Sequence, residues 1–179
     1  MSSGDMDRAL RRIAHEIVER NRGTSDVVVV GVRTRGGPLA DRLVGILEEI
    51  EGVSIESGIL DIGMYRDDLD QRPRTVLGPT ELPTSLEDKT IVLVDDVLYT
   101  GRTIRAALDA LSDLGRAAVV QLAVMVDRGH RELPIRADFV GKNLPTARDE
   151  HVTVRVAEID GEDGVWIDGP ARLEGGSKP

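Results

Sequence analysis

Two adjacent carboxylates at the end of an apolar run are the residues whose types and spacing point most directly to chemistry. Branched apolar residues fill 91–94, Asp95 and Asp96 follow, and 97–103 is rich in small and hydroxyl residues. Such a segment can wrap backbone N–H groups around a phosphate at a helix start, where the helix dipole also favours an anion. Because carboxylates repel phosphate, the aspartates need hydrogen-bond donors, and sugar hydroxyls supply them. The pattern predicts a site for a ribose 5-phosphate.

The alternative for this segment is an ordinary strand–turn–helix in which an acidic residue caps the helix. A cap needs one aspartate, whereas two are present here and Thr-Gly-Arg-Thr follows them closely, so we favour the phosphate site. The segment resembles the phosphoribosyl-pyrophosphate (PRPP) motif of type I phosphoribosyltransferases. The resemblance implies that Asp95 and Asp96 are catalytic residues that contact the ribose hydroxyls. It also implies a cradle for the 5-phosphate made of Val97, Leu98, Tyr99, Thr100, Gly101, Arg102 and Thr103.

A second loop follows the apolar run at 26–32 and contains Thr34, Arg35, Gly36 and Gly37. Arginine and glycine backbone at the carboxyl end of a strand can hold a pyrophosphate. Alone, the loop would be read as a plain turn. With the Asp95 motif one parallel strand away, it becomes the second half of the same site. Related enzymes often carry a strained peptide here, which we expect between Thr34 and Arg35.

The stretch 65–83 combines acids, arginines and prolines without a clear period and predicts a flexible loop. A solvated acidic turn is the plain interpretation. The functional interpretation is a lid, because the cationic sugar formed as pyrophosphate leaves must be shielded from water. Arg66 could reach the pyrophosphate when the lid closes, and we include it among the catalytic residues. The choice between Arg72 and Arg74 as a helper stays open.

Periodicity along the chain predicts the elements that position these residues. Apolar spacing indicates helices at 6–21, 39–50 and 104–114, and strands at 26–32, 53–63, 91–94, 117–126, 139–141, 152–158 and 165–167. Strands that alternate with helices imply a mostly parallel sheet flanked by helices, an α/β fold. We expect one domain over 1–170 and a disordered tail at 171–179.

Composition restricts the function classes. The chain has 179 residues, a net charge of −9, no cysteine and three histidines. The absence of cysteine excludes disulfides and thiolate catalysis, and scattered histidines make a zinc site improbable. Acidity argues against indiscriminate nucleic-acid binding, although 116–148 is locally basic. We expect no membrane span and a cytoplasmic location.

Several segments together resemble one family. V-G-V-R-T-R-G, D-I-G-M-Y-R-D-D-L, V-D-D-V-L-Y-T-G-R-T and V-D-R-G-H-R-E-L-P-I-R-A-D occur in this order. They are similar to the PyrR family, whose members regulate pyrimidine-biosynthesis operons and also have uracil phosphoribosyltransferase activity. The resemblance covers about 10–167, and the segment at 126–138 is its most distinctive part. It implies the type I phosphoribosyltransferase fold with a small hood at 126–148.

The resemblance also implies further site residues. Uracil would lie against Val126, Asp127, Arg128, Asn143 and Leu144, with Asp127 a candidate general base. RNA would bind a basic dimer face carrying Arg8, Arg11, Arg12, His15, His130, Arg136 and Lys142. Two departures are visible: Arg11 stands where the family usually has a small polar residue, and Ala147 replaces a serine.

The implied function has two parts. Uracil and PRPP would give UMP and diphosphate, with Mg²⁺ bound together with PRPP and with Asp95 and Asp96 as its candidate ligands. Leader mRNA of the pyrimidine operon would be bound in response to UMP or UTP, giving transcription attenuation by a homodimer or larger homo-oligomer. Two alternatives are a salvage uracil phosphoribosyltransferase without an RNA role and, more distantly, a purine-specific transferase.

Overall fold

The computed structural model describes residues 1–65, 80–83 and 85–169. The elements in these residues are α1 Ser3–Asn21, β1 Val27–Val32, α2 Gly36–Glu51, β2 Glu56–Leu60, β3 Thr90–Leu98, α3 Arg102–Leu114, β4 Val119–Asp127, β5 Phe139–Asn143, β6 His151–Arg155, α4 Ala157–Asp160 and β7 Gly164–Asp168. Arg66, most of the expected lid and the tail at 171–179 lie outside the described residues.

Five strands form one sheet in the order β2-β1-β3-β4-β5, and every neighbouring pair is parallel. Strands β6 and β7 form a separate antiparallel pair. This confirms the α/β fold with a mostly parallel sheet. It also confirms that β1 and β3 are direct neighbours, so the loops that follow them open at the same edge.

The sheet is buried on both faces. All six residues of β1 are buried, which explains why its sequence is a nearly continuous run of valines without polar alternation. Helices α1 and α2 cover one face, where Ile13, Ile17 and Leu43 pack against Val29 and Val92. The other face is covered by α3, whose buried residues include Ile104, Ala107 and Leu111. The two helix layers hold the strand ends rigidly.

Several predicted boundaries were wrong, and the strand predicted at 53–63 covers only Glu56–Leu60. The strand predicted to stop at Val94 continues as β3 to Leu98, because β4 runs beside it and pairs Asp95 with Val124 and Leu98 with Asp127. The strand predicted at 152–158 ends at Arg155. Helix α4 follows because the Asp160 carboxylate accepts the Val156 N–H at 2.9 Å and closes a helical turn.

Candidate active site

The carboxyl ends of the central strands converge on one edge of the sheet. In the strand register Leu98 lies opposite Asp127, and Asp127 lies opposite Asn143. The loop at 33–35 follows β1, and the loop at 99–101 follows β3. The structure therefore brings the predicted pyrophosphate loop, the paired aspartates and the ends of β4 and β5 to a common edge. Ligands of open parallel sheets bind at such edges.

The loop after β1 lies directly against β3 because glycines leave room. A Cβ atom on Gly36 would lie 2.4 Å from the Val94 carbonyl oxygen, and one on Gly31 would lie 2.5 Å from the Gly36 carbonyl oxygen. This close approach places the start of α2 beside Asp95. A cis peptide bond joins Arg33 to Thr34, one bond before the position that we expected for an unusual peptide.

Asp95 and Asp96 lie inside β3 and are fixed by their own backbone. The Asp96 N–H donates to Asp95 Oδ1 at 2.9 Å, and the Val97 N–H donates to Asp96 Oδ1 at 2.7 Å. Asp95 is buried and Asp96 is partly buried. Burial raises the pKa of Asp96, outweighing the opposing effects of the hydrogen bonds and of the Arg35 charge. Donors or a cation beside this pair would favour its ionised form.

Arg35 makes a contact that the sequence did not predict. Its Nε and Nη2 donate to the two carboxylate oxygens of Asp160 at 3.0 and 2.8 Å. Hydrogen bonds from Arg35, and the bond from the Val156 N–H, lower the pKa of Asp160 to about 2. Sequence reasoning missed Asp160 because the partners are 125 positions apart and no local pattern marks the carboxylate.

The predicted phosphate loop is held from one side by the segment 128–135. The Thr100 carbonyl accepts the Glu132 and Leu133 N–H groups at 3.0 and 3.1 Å. The Tyr99 carbonyl accepts Arg131 Nη1 at 2.8 Å. Gly101 has φ of 94°, a left-handed conformation that suits glycine, and α3 begins at the next residue. The loop thus leads directly into a helix N-terminus, as a phosphate site requires.

The Arg102 side chain points to the same segment, since its Nε donates to Glu132 at 2.8 Å. The backbone N–H of Arg102 donates to Thr100 Oγ1 at 3.4 Å. Thr103 is partly buried in the first turn of α3. Of the predicted phosphate-loop residues, only Tyr99, Thr100 and Gly101 form the loop itself, whereas Val97 and Leu98 end β3 and Arg102 and Thr103 begin α3.

The predicted uracil residues differ in how deeply their side chains are buried. Val126 and Arg128 are buried, whereas Asn143 is exposed at the end of β5. Arg128 donates to Thr146 Oγ1 at 3.1 Å and to the Ala147 and Glu150 carbonyls at 3.0 and 2.6 Å. Its guanidinium is thus bound within the hood.

Asp127 and Leu144 connect the hood to the sheet. The Leu144 N–H donates to the Asp127 carbonyl at 2.8 Å, and the Gly129 N–H donates to Asp127 Oδ1 at 3.0 Å. The other carboxylate oxygen of Asp127 forms an ion pair with Arg131. The Asp127 carboxylate would therefore face a bound ligand while it is already in an ion pair with Arg131.

The predicted RNA-binding residues of α1 are exposed, and one of them reaches β5. Arg12 Nη2 donates to the Val140 and Gly141 carbonyls at 3.1 and 2.6 Å, which places it beside Lys142. Arg8 pairs with Asp5, and Arg11 pairs with Glu49 at 3.1 Å. His15 is exposed on the same helix.

The remaining predicted RNA-binding residues differ in burial. Arg136 and Lys142 are exposed, and neither forms an ion pair with any part of the chain that the structure describes. His130 is partly buried: its Nε2 lies 2.5 Å from the Thr146 carbonyl, and its ring meets the edge of Tyr99 with centroids 6.1 Å apart. His130 therefore belongs to the hood as much as to a surface.

Comparison with known proteins agrees with this geometry. Residues 3–159 match the phosphoribosyl transferase domain family. The chain is 61% identical over 169 residues to the bifunctional protein PyrR of Roseiflexus sp. (strain RS-1), covering 93% of this chain and 92% of that protein. It is 58% identical over 175 residues to the bifunctional protein PyrR of Deinococcus radiodurans, covering 97% of this chain and 96% of that protein.

Solved structures support the fold at low identity. A hypoxanthine phosphoribosyltransferase from Staphylococcus aureus superposes with a TM-score of 0.68 at 17% identity, covering 94% of this chain and 89% of that chain. The Trypanosoma cruzi enzyme in complex with IMP gives a TM-score of 0.68 at 17% identity, covering 95% and 89%. Within 1–65, 80–83 and 85–169, no helix is long and apolar enough to cross a bilayer.

Proposed function

This chain belongs to the phosphoribosyltransferase family and, within it, to the PyrR proteins, and from that premise we propose a function with two parts. The chain transfers the phosphoribosyl group of PRPP to uracil, and it regulates the pyrimidine operon by binding leader mRNA in response to uridine nucleotides. The observation that carries the proposal is the position of Asp95 and Asp96 within β3, two to three residues before its carboxyl end. Loops suited to pyrophosphate and to phosphate lie beside and after them.

In the transferase reaction, the bond between C1 of the ribose and the pyrophosphate breaks, and N1 of uracil bonds to C1. The N1 proton is lost, and the products are UMP and diphosphate. Asp95 and Asp96 accept hydrogen bonds from the ribose hydroxyls, while backbone at 97–103 holds the 5-phosphate. Catalysis in this scheme is mostly positioning and electrostatic stabilisation of the cationic sugar.

The donor set at the end of β3 fits a magnesium ion that arrives with PRPP. Mg²⁺ prefers oxygen ligands and usually combines one or two carboxylates with substrate phosphates. Asp95 and Asp96 are two adjacent carboxylates, and the raised pKa of Asp96 leaves its charge in need of compensation. When bound, the ion would neutralise charge on the leaving diphosphate. Asp95 and Asp96 would hold it together with the substrate's own oxygens.

For the base, Asn143 is the best placed of the proposed uracil residues. Its amide carries both a donor and an acceptor, which match the alternating carbonyl and N–H groups of a pyrimidine edge. Val126 and Arg128 have buried side chains, so we assign them a supporting role through the backbone and the hood. Both carboxylate oxygens of Asp127 are already engaged, one by Arg131 and the other by the Gly129 N–H, so we do not assign it the role of general base.

The RNA surface that we propose is centred on α1 and the end of β5. Arg12 lies beside Lys142 there, because it donates to the Gly141 carbonyl. Further candidates for contact with RNA are the exposed residues Arg8, Arg11, His15 and Arg136. Binding must be local and selective because the chain carries a net charge of −9. Phosphate contacts of this kind weaken as salt increases.

The transferase activity is tested with the double variant Asp95→Asn and Asp96→Asn. Conversion of uracil and PRPP to UMP should fall to background, because neutral amides neither attract a cation nor accept as strongly from hydroxyls. Asp109→Asn, an exposed residue of α3, is the matched control and should keep wild-type turnover. Full PRPP turnover in the double variant would contradict the proposed site.

The regulatory activity is tested by a gel shift with the organism's pyrimidine-operon leader RNA, with and without UMP, at low and high salt. We expect UMP to tighten binding relative to an unrelated RNA of equal length. Lys142→Ala should weaken RNA binding and leave turnover of uracil and PRPP unchanged. It should also lower, by about one, the slope with which the logarithm of the RNA-binding constant falls against the logarithm of the salt concentration. Lys142 is a sharper test than His130 because His130 also supports the hood. No binding at either salt, with UMP present, would leave the salvage enzyme.

A further inference from the structure

We propose that Asp160 is a positioning residue that orients Arg35 at the pyrophosphate end of the site. The inference rests on the proposed transferase function and adds a residue to it. The family match ends at residue 159, one position before this carboxylate. Asp160 acts through Arg35 and does not itself need to touch the substrate.

The geometry leaves Arg35 able to bind an anion while it is held. Asp160 occupies one edge of the Arg35 guanidinium. The Nε and Nη2 atoms of Arg35 donate to the two Asp160 carboxylate oxygens at 3.0 and 2.8 Å. A guanidinium carries five N–H donors in a fixed plane, so Nη1 and the second Nη2 hydrogen remain for another ligand. The Asp160 carboxylate is fixed in turn by the Val156 N–H at 2.9 Å.

The segment that carries Asp160 is anchored independently on α2. Arg42 donates to Glu158 at 2.8 and 2.6 Å and to Asp163 at 3.1 and 2.8 Å. Asp163 also accepts the Ala157 N–H at 2.8 Å. Because Arg42 already ties this segment to α2, the Arg35–Asp160 pair is not needed for that attachment. A partly exposed ion pair also adds little to stability.

The charge of Asp160 competes with that of Asp96 for the Arg35 side chain. Asp96 is close enough for its charge to raise the pKa of Arg35, although the hydrogen bonds that Arg35 donates to Asp160 have the largest effect. Without Asp160, Arg35 would be drawn towards Asp96, where it would occupy a carboxylate needed for ribose. Asp160 therefore keeps the arginine out of the ribose site and presents its remaining donors to a diphosphate. Such preorganisation lowers the entropy cost of binding.

The test compares Asp160→Asn with the wild-type enzyme in steady-state kinetics and in calorimetric binding of PRPP. The KM for PRPP and the Kd for PRPP should each rise about 10- to 100-fold, because Arg35 loses its orientation. The KM for uracil should stay within about twofold of wild type, since the base end is untouched. Asp160→Glu, which keeps the charge but moves it by one methylene, should recover part of the loss.

Glu158→Gln is the matched control, because it removes a carboxylate from the same short helix without contacting Arg35. Its KM for PRPP should equal that of wild type. An unchanged or lower KM and Kd for PRPP in folded Asp160→Asn would overturn the inference while leaving the transferase function intact. If Asp160→Asn does not fold, Asp160→Ala, which also removes the carboxylate, takes its place, and an unchanged KM and Kd for PRPP in that variant overturns the inference. A wild-type chain that neither binds nor turns over PRPP would instead overturn the proposed function.

Discussion

The guanidinium carbon of Arg128 lies 4.1 Å from the centroid of the Tyr99 ring. Arg128 follows β4 in the hood, whereas Tyr99 belongs to the loop proposed to hold the 5-phosphate, so this stacking joins the proposed base end of the site to its proposed phosphate end. The backbone reinforces the connection, since the Arg128 N–H donates to the Leu98 carbonyl at 3.1 Å. The hood and the phosphate loop are therefore expected to respond together to a bound nucleotide.

The first prediction concerns Arg128 as a buried support. Arg128→Ala removes donors from Thr146 and from the Ala147 and Glu150 carbonyls and also removes the stacking on Tyr99. We expect the free energy of unfolding to fall by about 2–4 kcal/mol, measured by urea denaturation at constant m-value.

The matched control for Arg128 is Arg136→Ala, an exposed arginine with no ion pair to the residues that the structure describes. Its free energy of unfolding should change by no more than about 0.5 kcal/mol. Arg128→Lys should also be destabilising, because an ammonium cannot reproduce the planar fork. Equal stability of Arg128→Ala and wild type, with only the KM for uracil raised, would instead make Arg128 a direct base contact.

The second prediction follows from the raised pKa of Asp96. Burial disfavours its ionised form in the folded protein, so Asp96→Asn should stabilise the ligand-free protein at pH 7 while abolishing turnover. Well below pH 3.8, the ordinary pKa of this carboxyl, Asp96 is protonated in both the folded and the unfolded protein. Its burial therefore costs no stability at such a pH. As pH rises, the unfolded chain ionises first and the wild type loses relative stability.

The measurement for Asp96 is the urea midpoint of both proteins between pH 3 and pH 7. The midpoint of Asp96→Asn should exceed that of wild type at pH 7, and the difference should shrink as pH falls. Asp109→Asn, on the exposed face of α3, serves as the control and should show no such trend. A ligand-free variant that is less stable than wild type at pH 7 would contradict the assignment.

Much of the site was predictable because its signals are local in sequence. The nearly continuous valine run at 27–32 favours a strand buried on both faces, and the alternation of strands with helices favours a parallel sheet. Carboxylates directly after the apolar run at 91–94 then fall at the same sheet edge. The place of Asp95 and Asp96 beside the loop with Arg35 therefore follows from these residues alone.

Other features depend on contacts between distant positions, and the sequence carries no local sign of them. Nothing near Arg35 indicates that its partner is Asp160, and nothing near Arg128 indicates that three groups at 146–150 will accept its hydrogen bonds. The end of β3 was misplaced for the same reason. Its ladder with β4, rather than its own polar residues, decides where pairing stops.

The third prediction uses two glycines of α2. Gly36→Ala should destabilise the protein by about 1–3 kcal/mol, because its Cβ would lie 2.4 Å from the Val94 carbonyl oxygen and force the backbones apart. The same shift would displace the loop from Asp95, so we also expect a higher KM for PRPP. Thermal unfolding and steady-state kinetics measure the two effects.

Gly45 provides the matched control in the same helix. A Cβ on Gly45 would meet nothing within 4 Å, so Gly45→Ala should stabilise the protein by up to about 1 kcal/mol through helix propensity. Its kinetics should match wild type. If Gly36→Ala were as stable as Gly45→Ala, the close contact between the α2 start and β3 would not exist in solution.

The fourth prediction concerns Arg42, which holds the segment of β6, α4 and β7 on α2. Hydrogen bonds from Arg42 lower the pKa values of Glu158 and Asp163, whose ordinary values are 4.5 and 3.8. Arg42→Ala should cost about 1–2 kcal/mol at pH 7 by urea denaturation, an amount reduced by the partial exposure of Glu158.

The pH dependence of the Arg42 variant has a definite sign. Carboxylates with depressed pKa values contribute stability that is present above their unfolded values and is lost as pH falls through the folded ones. The stability difference between wild type and Arg42→Ala should therefore be constant above about pH 5 and shrink below pH 4. Arg11→Ala breaks the exposed pair with Glu49 and should change stability by no more than about 0.5 kcal/mol at any of these pH values. A wild-type advantage that stayed constant on acidification would show that Arg42 stabilises the segment by packing, and that its two carboxylates contribute nothing through their charge.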